Sequence, residues 1–312
     1  MSARLLSHER EERRERRRLR MRRHGRRAYI RSVYFLPSMA TLGNAVCGFE
    51  AIYVAALPPS AESYSFLAAH RFTAAAYLIF LAMVCDALDG RLARFARHTT
   101  DFGGQLDSMA DVISFGVAPG LLCILLCRAG FAEGLRHVPV PLDRLIWSIG
   151  ALYMCCAAVR LARFNVSNEH GEQHHFSFLG LPSPGAGGMI AAWVLMQQDL
   201  SRTNAELLSS GDAPTWFTHL VGHLSTACLA VLPILVLGCG LLMVSQIRYP
   251  HMVNRYLKGR RSIGRLIVVL ILALLIIVAH QYVIALGMVT YVLWGTMSAV
   301  GRMRRAKSLG VA

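Results

Sequence analysis

Apolar segments long enough to cross a bilayer recur along this chain, separated by short polar connections. A helix needs about 20 such residues to span a hydrocarbon core of roughly 30 Å, and in lipid its backbone must satisfy its own hydrogen bonds. Hydrophobic residues make up 54% of the 312, charged residues 16%, and the mean hydropathy is +0.43. A soluble core of this length needs far less apolar surface. The expected fold is therefore all-α, a polytopic membrane bundle of about eight helices with a basic surface arm at its N-terminus.

The spans are read in order from about Val33 to Leu57, Arg71 to Leu88, Gly103 to Cys127, Leu145 to Asn165, Ser183 to Gln198, and Leu220 to Gln246. Residues 264–300 form a long apolar run that would make one helix of about 55 Å, too long for one crossing. We divide it into two spans with a turn at His280 and Gln281. Residues 1–32 form the arm, 33–200 a core of five spans, and 201–312 the three remaining spans. No internal repeat is evident.

The net charge of +15 suggests nucleic acid until its placement is considered. Most of it lies in the N-terminal arm and in connections between spans, so anionic lipid headgroups, not nucleic acid, are the expected partner. Eight spans with the arm inside put Arg91–His98, Arg160–Asn165, Arg248–Arg265 and the C-terminus in the cytoplasm. The opposite loops, near 58–70, 128–144 and 199–220, are poorer in lysine and arginine, as the positive-inside rule requires. RRAYIRS resembles a twin-arginine export signal only faintly: no small-residue cleavage site follows, and Pro37 interrupts the apolar run.

Carboxylates inside this apolar chain carry the functional signal. Positions three or four apart stack on one face of a helix. Asp86 and Asp89 share such a face, as do Gly103, Asp107 and Asp111 on the next span. Gly90 and Ala93 are small enough for a ligand to approach the backbone, and Arg94 adds a fixed positive fork. Each carboxylate costs roughly 2.5–3.5 kcal/mol at the centre of a bilayer, so several together need a counter-charge. Oxygen-only ligands select hard cations such as Mg²⁺, Mn²⁺ or Ca²⁺, and paired sites of this kind clamp phosphoryl groups.

Other polar features are weaker signals. Thr41, Asn44 and Gly48 fall at near-helical spacing in the first span, a pattern typical of helix packing. Gly116, Pro119 and Gly120 can bend the third span and open its backbone. Arg160 and Arg163 lie a turn apart, with Asn165 just beyond, and can hold a phosphate or carboxylate or reach a headgroup. His170, His174 and His175 lack cysteine or acidic partners at ligand spacing and read as a solvated loop. The eight cysteines fall almost wholly in apolar runs and read as small packing residues.

Written out, the array is Asp86-x2-Asp89-Gly90-x2-Ala93-Arg94-x8-Gly103-x3-Asp107-x3-Asp111. It resembles the CDP-alcohol phosphotransferase family at every motif position, and the similarity in layout covers roughly the first two-thirds of the chain. The resemblance implies transfer of a phosphatidyl group from a CDP-linked lipid to an alcohol, with release of CMP. It implies that Asp86, Asp89, Asp107 and Asp111 ligate metal, two Mg²⁺ or Mn²⁺ ions, with Asp111 also the general base. It assigns Gly90, Ala93, Arg94, Thr41 and Asn44 to the CDP moiety. Arg160, Arg163 and Asn165 are assigned to the acceptor or a phosphate.

The flanking SFGVAP, RLARFN and GLPSP are similar to the serine-transferring branch of that family, making L-serine and CDP-diacylglycerol the expected substrates. Glycerol 3-phosphate, inositol phosphate or choline would suit the same core with other contacts. The resemblance also implies a homodimer; the expected location is the bacterial inner membrane, with termini and active site cytoplasmic as the loop charges indicate. The alternative of another class is a cation-coupled transporter, whose site lies near the midplane between repeated halves.

Overall fold

In the computed structural model the described residues are 39–60, 64–96, 101–135, 138–169, 178–209, 215–245, 247–249 and 279–298. The N-terminal arm, the His170–His175 loop and most of the basic loop after residue 249 lie outside them. Nine α-helices are described: α1 (Met39–Ala55), α2 (Ser65–Ala69), α3 (Arg71–Ala96), α4 (Asp101–Asp111), α5 (Ala118–Leu135), α6 (Val140–Glu169), α7 (Ser183–Ser209), α8 (Trp216–Val244) and α9 (279–298). A π-helical stretch, Val112–Val117, joins α4 to α5. The only described strands are Phe178–Leu179 and Arg248–Tyr249, a two-residue antiparallel ladder.

The all-α expectation holds, and the protein is an integral membrane protein. Four helical runs are long and apolar enough to cross a membrane, namely Arg71–Leu92, Phe102–Ala132, Val140–Val166 and Trp216–Val244, and α1 is a shorter apolar helix. The run Phe102–Ala132 is the most enclosed of the four. Within it Phe115 and Leu122, and around it Tyr153, Ile190, Leu195 and Leu232, are fully or almost fully buried. At about 25 cal/mol per Å² of apolar surface such residues would carry a soluble core, but lipid is as apolar as they are. Packing and internal hydrogen bonds therefore have to hold the helices together.

Two such contacts fix the helices that matter most. A Cβ on Gly48 of α1 would lie 2.7 Å from Ser114 Cα, so only glycine permits this approach. There Ser114 Oγ donates to the Asn44 carbonyl at 2.8 Å. Pro119 has no N–H to offer the carbonyl of residue 115, four positions back. The buried Tyr153 hydroxyl of α6 donates to that Phe115 carbonyl at 2.8 Å. The bend expected at Gly116, Pro119 and Gly120 is thus a widened turn just before Pro119, directly after Asp111.

Several boundaries differ from those read in the sequence. Arg91–Ala96, expected as a connection, continue α3 as helix. α7 runs on to Ser209 instead of stopping near Gln198. Its extension carries Leu200, Arg202, Ala205, Glu206, Leu207 and Leu208, all good helix formers, and Arg202 pairs with Glu206 one turn on at 2.9 Å. His280 and Gln281 are helical, at the start of the described part of α9. The count of eight spans extends into residues outside the described set.

Candidate active site

Three helices bring the acidic array together. α3 presents Asp86 and Asp89, α4 presents Asp107 and Asp111, and α1 lies across them with Thr41 and Asn44. One ligand oxygen from each of Asp86, Asp107 and Asp111 lies within 4.8 Å of the others. Asp89 is not in that set; its Oδ2 accepts a hydrogen bond from Thr41 Oγ1. Asn44 Nδ2 donates to Asp111 Oδ1 at 3.0 Å. Thr41, Asn44, Asp89 and Asp111 are all buried. Helix packing alone, one reading of Thr41 and Asn44, leaves out that both donate into the carboxylate group.

Opposite the acids stands Arg160 of α6, within electrostatic reach of Asp111 and Asp86. Its Nη1 donates to the fully buried Ser183 Oγ at 2.8 Å. Ser183 begins α7 after a turn at Gly180, whose φ of 84° suits glycine. Gly180 N donates to the Ile247 carbonyl at 2.8 Å and Leu181 N to the Leu242 carbonyl at 3.0 Å, tying this turn to the end of α8. Asn165 accepts from Ser108 Oγ at 3.0 Å, joining the end of α6 to α4 beside Asp107.

Arg163 is separated from this group. It is exposed, and its Nη1 donates to the Val244 carbonyl at 3.2 Å, at the C-terminus of α8. A one-turn spacing places two side chains near each other on a helix, yet here the half-buried one lies within electrostatic reach of acids and the other meets a helix-end carbonyl. A Cβ on Gly90 would meet no atom within 4 Å, so the backbone there is open to approach. Ala93 and Arg94 are helical, and their side chains lie outside the described residues.

The residues fit a bound divalent cation. Arg160 is one positive charge within reach of Asp86 and Asp111, and Asp86, Asp107 and Asp111 are three converging carboxylates, so a further counter-ion is called for. Asp86, Asp107 and Asp111 supply hard oxygen donors, the kind Mg²⁺ and Mn²⁺ take. Among the described residues, the two buried side-chain polar atoms without a partner are Asn44 Oδ1 and Arg160 Nε, and both belong to this site. A buried polar atom left unpaired costs about 1–3 kcal/mol, which a polar ligand would recover.

Ser183 and Ser108 were not singled out from the sequence. Ser183 stands within GLPSP, a marker of the serine branch, but nothing local gave it a role. Its contact with Arg160 links residues 23 apart.

The chain belongs to the CDP-alcohol phosphatidyltransferase family, whose model matches residues 34–224. That region contains every helix that contributes to the acidic cluster. Among its curated relatives is the CDP-diacylglycerol–serine O-phosphatidyltransferase of Helicobacter pylori, 28% identical over 85% of this chain and 91% of that protein. The protein of the same name from Bacillus subtilis is 30% identical over 70% of this chain and 90% of its own length. That of Methanocaldococcus jannaschii is 29% identical over 72% and 79%.

Proposed function

We propose that this protein transfers a phosphatidyl group from CDP-diacylglycerol to L-serine, giving phosphatidylserine and CMP. The observation that carries the reading is one half-buried guanidinium, Arg160, within electrostatic reach of the carboxylates Asp86 and Asp111. Acids suit a cation and the phosphates it bridges, whereas an arginine in the same volume suits an acceptor carboxylate. The names of the relatives favour serine over the other alcohols.

In this reading Asp86, Asp89, Asp107 and Asp111 hold one or two divalent cations, Mg²⁺ or Mn²⁺. Such an ion, when bound, would screen the diphosphate and the charge developing on the leaving CMP. Gly90, Ala93 and Arg94 seat the nucleotide diphosphate, and Thr41 and Asn44 fix the acids beside it. Asn44 holds Asp111 Oδ1, leaving Asp111 Oδ2 to take the proton of the serine hydroxyl. The serine oxygen then forms a bond to the phosphorus carrying diacylglycerol, and the bond from that phosphorus to the CMP oxygen breaks. Arg160 orients the serine carboxylate, Asn165 braces the acceptor side, and Arg163 serves α8 or a lipid phosphate.

The site opens to the cytoplasm, the source of CDP-lipid headgroups and serine, and the protein sits in the inner membrane as a homodimer among anionic lipids. The 1–32, 33–200 and 201–312 division then separates arm, catalytic core and C-terminal helices. The test supplies purified protein with CDP-diacylglycerol, Mn²⁺ or Mg²⁺ and competing alcohols, and identifies the lipid formed. CMP release with phosphatidylserine as product is the expected result. Release with another alcohol and not with serine would move the acceptor, and no release with any alcohol would favour a transporter.

A further inference from the structure

Helix α9 lies beyond the region matched by the family model, yet it reaches the acceptor side of the site. The Gly-Ala-Gly-Gly run opening α7 makes this possible. A Cβ on Gly188 would fall 2.5 Å from Met288 Cε, and one on Gly185 would fall 3.3 Å from Tyr291 Cε1. The α7 backbone therefore receives the α9 side chains directly, and Tyr291 packs against the buried core while Val292 is buried in it. Its phenol is within electrostatic reach of Arg160. Arg160 thus has Ser183 at Nη1 and the Tyr291 phenol within electrostatic reach, while Nε has no partner among the described residues.

A guanidinium recognises a carboxylate through a fixed, planar set of donors, so its plane must be held before the ligand arrives. Ser183 fixes one nitrogen only, which leaves the plane free to turn about that contact. A second oxygen held near the guanidinium removes that freedom. We infer that Tyr291 is a positioning residue for the acceptor, its phenol oxygen orienting Arg160 so that the unpaired Nε meets the serine carboxylate. This rests on the assignment of Arg160 to the acceptor under the proposed function. It also gives the C-terminal helices a part in acceptor choice that the matched region does not contain.

The test uses full-length protein in mixed micelles with CDP-diacylglycerol and serine. Tyr291→Phe keeps the ring against Gly185 and removes only the oxygen. One interaction of this kind corresponds to an increase of about three- to ten-fold in the KM for serine. The KM for CDP-diacylglycerol should move by less than about two-fold, because the lost contact serves only one substrate. Serine methyl ester, which lacks the carboxylate charge, should compete relatively better against serine in Tyr291→Phe than in the unaltered protein.

An unchanged serine KM in Tyr291→Phe overturns the inference, as does an equal rise in both KM values, which would mark a packing role. An unchanged serine KM in Arg160→Lys would overturn it as well, since Tyr291 would then have no acceptor contact to act through. Absence of CMP release with serine from the unaltered protein would instead overturn the underlying reading, and this inference with it.

Discussion

Asn44 and Asp111 stand 67 residues apart in the chain and are joined by a 3.0 Å hydrogen bond in the buried centre of the site. The bond holds one oxygen of Asp111, and Asn44 Oδ1 has no partner among the described residues. Hydrogen bonds to charged groups are worth about 1.5–3 kcal/mol. Asn44→Ala should therefore lower kcat/KM about 10- to 100-fold. Asn44→Asp should be worse, since it adds a like charge beside Asp111. Steady-state CMP release checks both, and an active Asn44→Asp protein would show that this contact does not organise the site.

Asp111 is the acid with the strongest claim to the base role, being buried and held by Asn44. Asp111→Asn keeps the shape and removes the proton acceptor. Loss of general-base help typically costs about 10²–10⁴-fold in rate. CDP-diacylglycerol binding, measured by protection or direct titration, should persist because Asp86, Asp89 and Asp107 remain. Normal turnover by Asp111→Asn would remove it from the base role.

Chelation should abolish transfer, and Mg²⁺ or Mn²⁺ should restore it. Charge stabilisation of several kcal/mol corresponds to a loss on the order of 10²-fold or more. Asp86→Ala should raise the metal concentration giving half-maximal rate, because one of three converging oxygens is gone. A metal titration of this variant superimposing on that of the unaltered protein would exclude Asp86 as a ligand.

The acids were legible because helical spacing is a local property. Asp86 and Asp89 on one helix, and Asp107 and Asp111 on the next, had to share faces once both segments were helical. What those faces meet is not local. Thr41 finds Asp89 across 48 positions, and Asn44 finds Asp111 across 67. The first span could be recognised as a packing helix without showing which of its polar groups reach the acids. Arg160 and Arg163 looked equivalent by spacing, but Ser183 lies beside one and the end of α8 beside the other. Tyr291 stands in an apolar run with no neighbouring motif, so only packing against Gly185 brings it to the site.

Gly48 supplies a test of the approach between α1 and the π-helical turn. A Cβ there would press on Ser114 Cα at 2.7 Å, on backbone that cannot rotate away. Overpacking of this kind costs about 1–3 kcal/mol. Gly48→Ala should lower the thermal midpoint in detergent and reduce activity, since the displaced α1 carries Thr41 and Asn44. A fully active Gly48→Ala protein with an unchanged midpoint would mean that α1 can shift without disturbing the acids.

Tyr153 couples α6 to the same turn from the opposite side. Its hydroxyl serves the Phe115 carbonyl, which Pro119 cannot serve, and both side chains are almost fully buried. Tyr153→Phe preserves the ring and strands that acceptor, at a cost of about 1–3 kcal/mol. The turn should open, since Pro119 cannot supply the missing donor, and opening would rotate Asp111 relative to α3. The expected result is a lower thermal midpoint, faster amide exchange across 112–120, and reduced CMP release at saturating substrate. Unchanged exchange across these residues would mean that another donor takes the carbonyl and that the turn is held by packing alone.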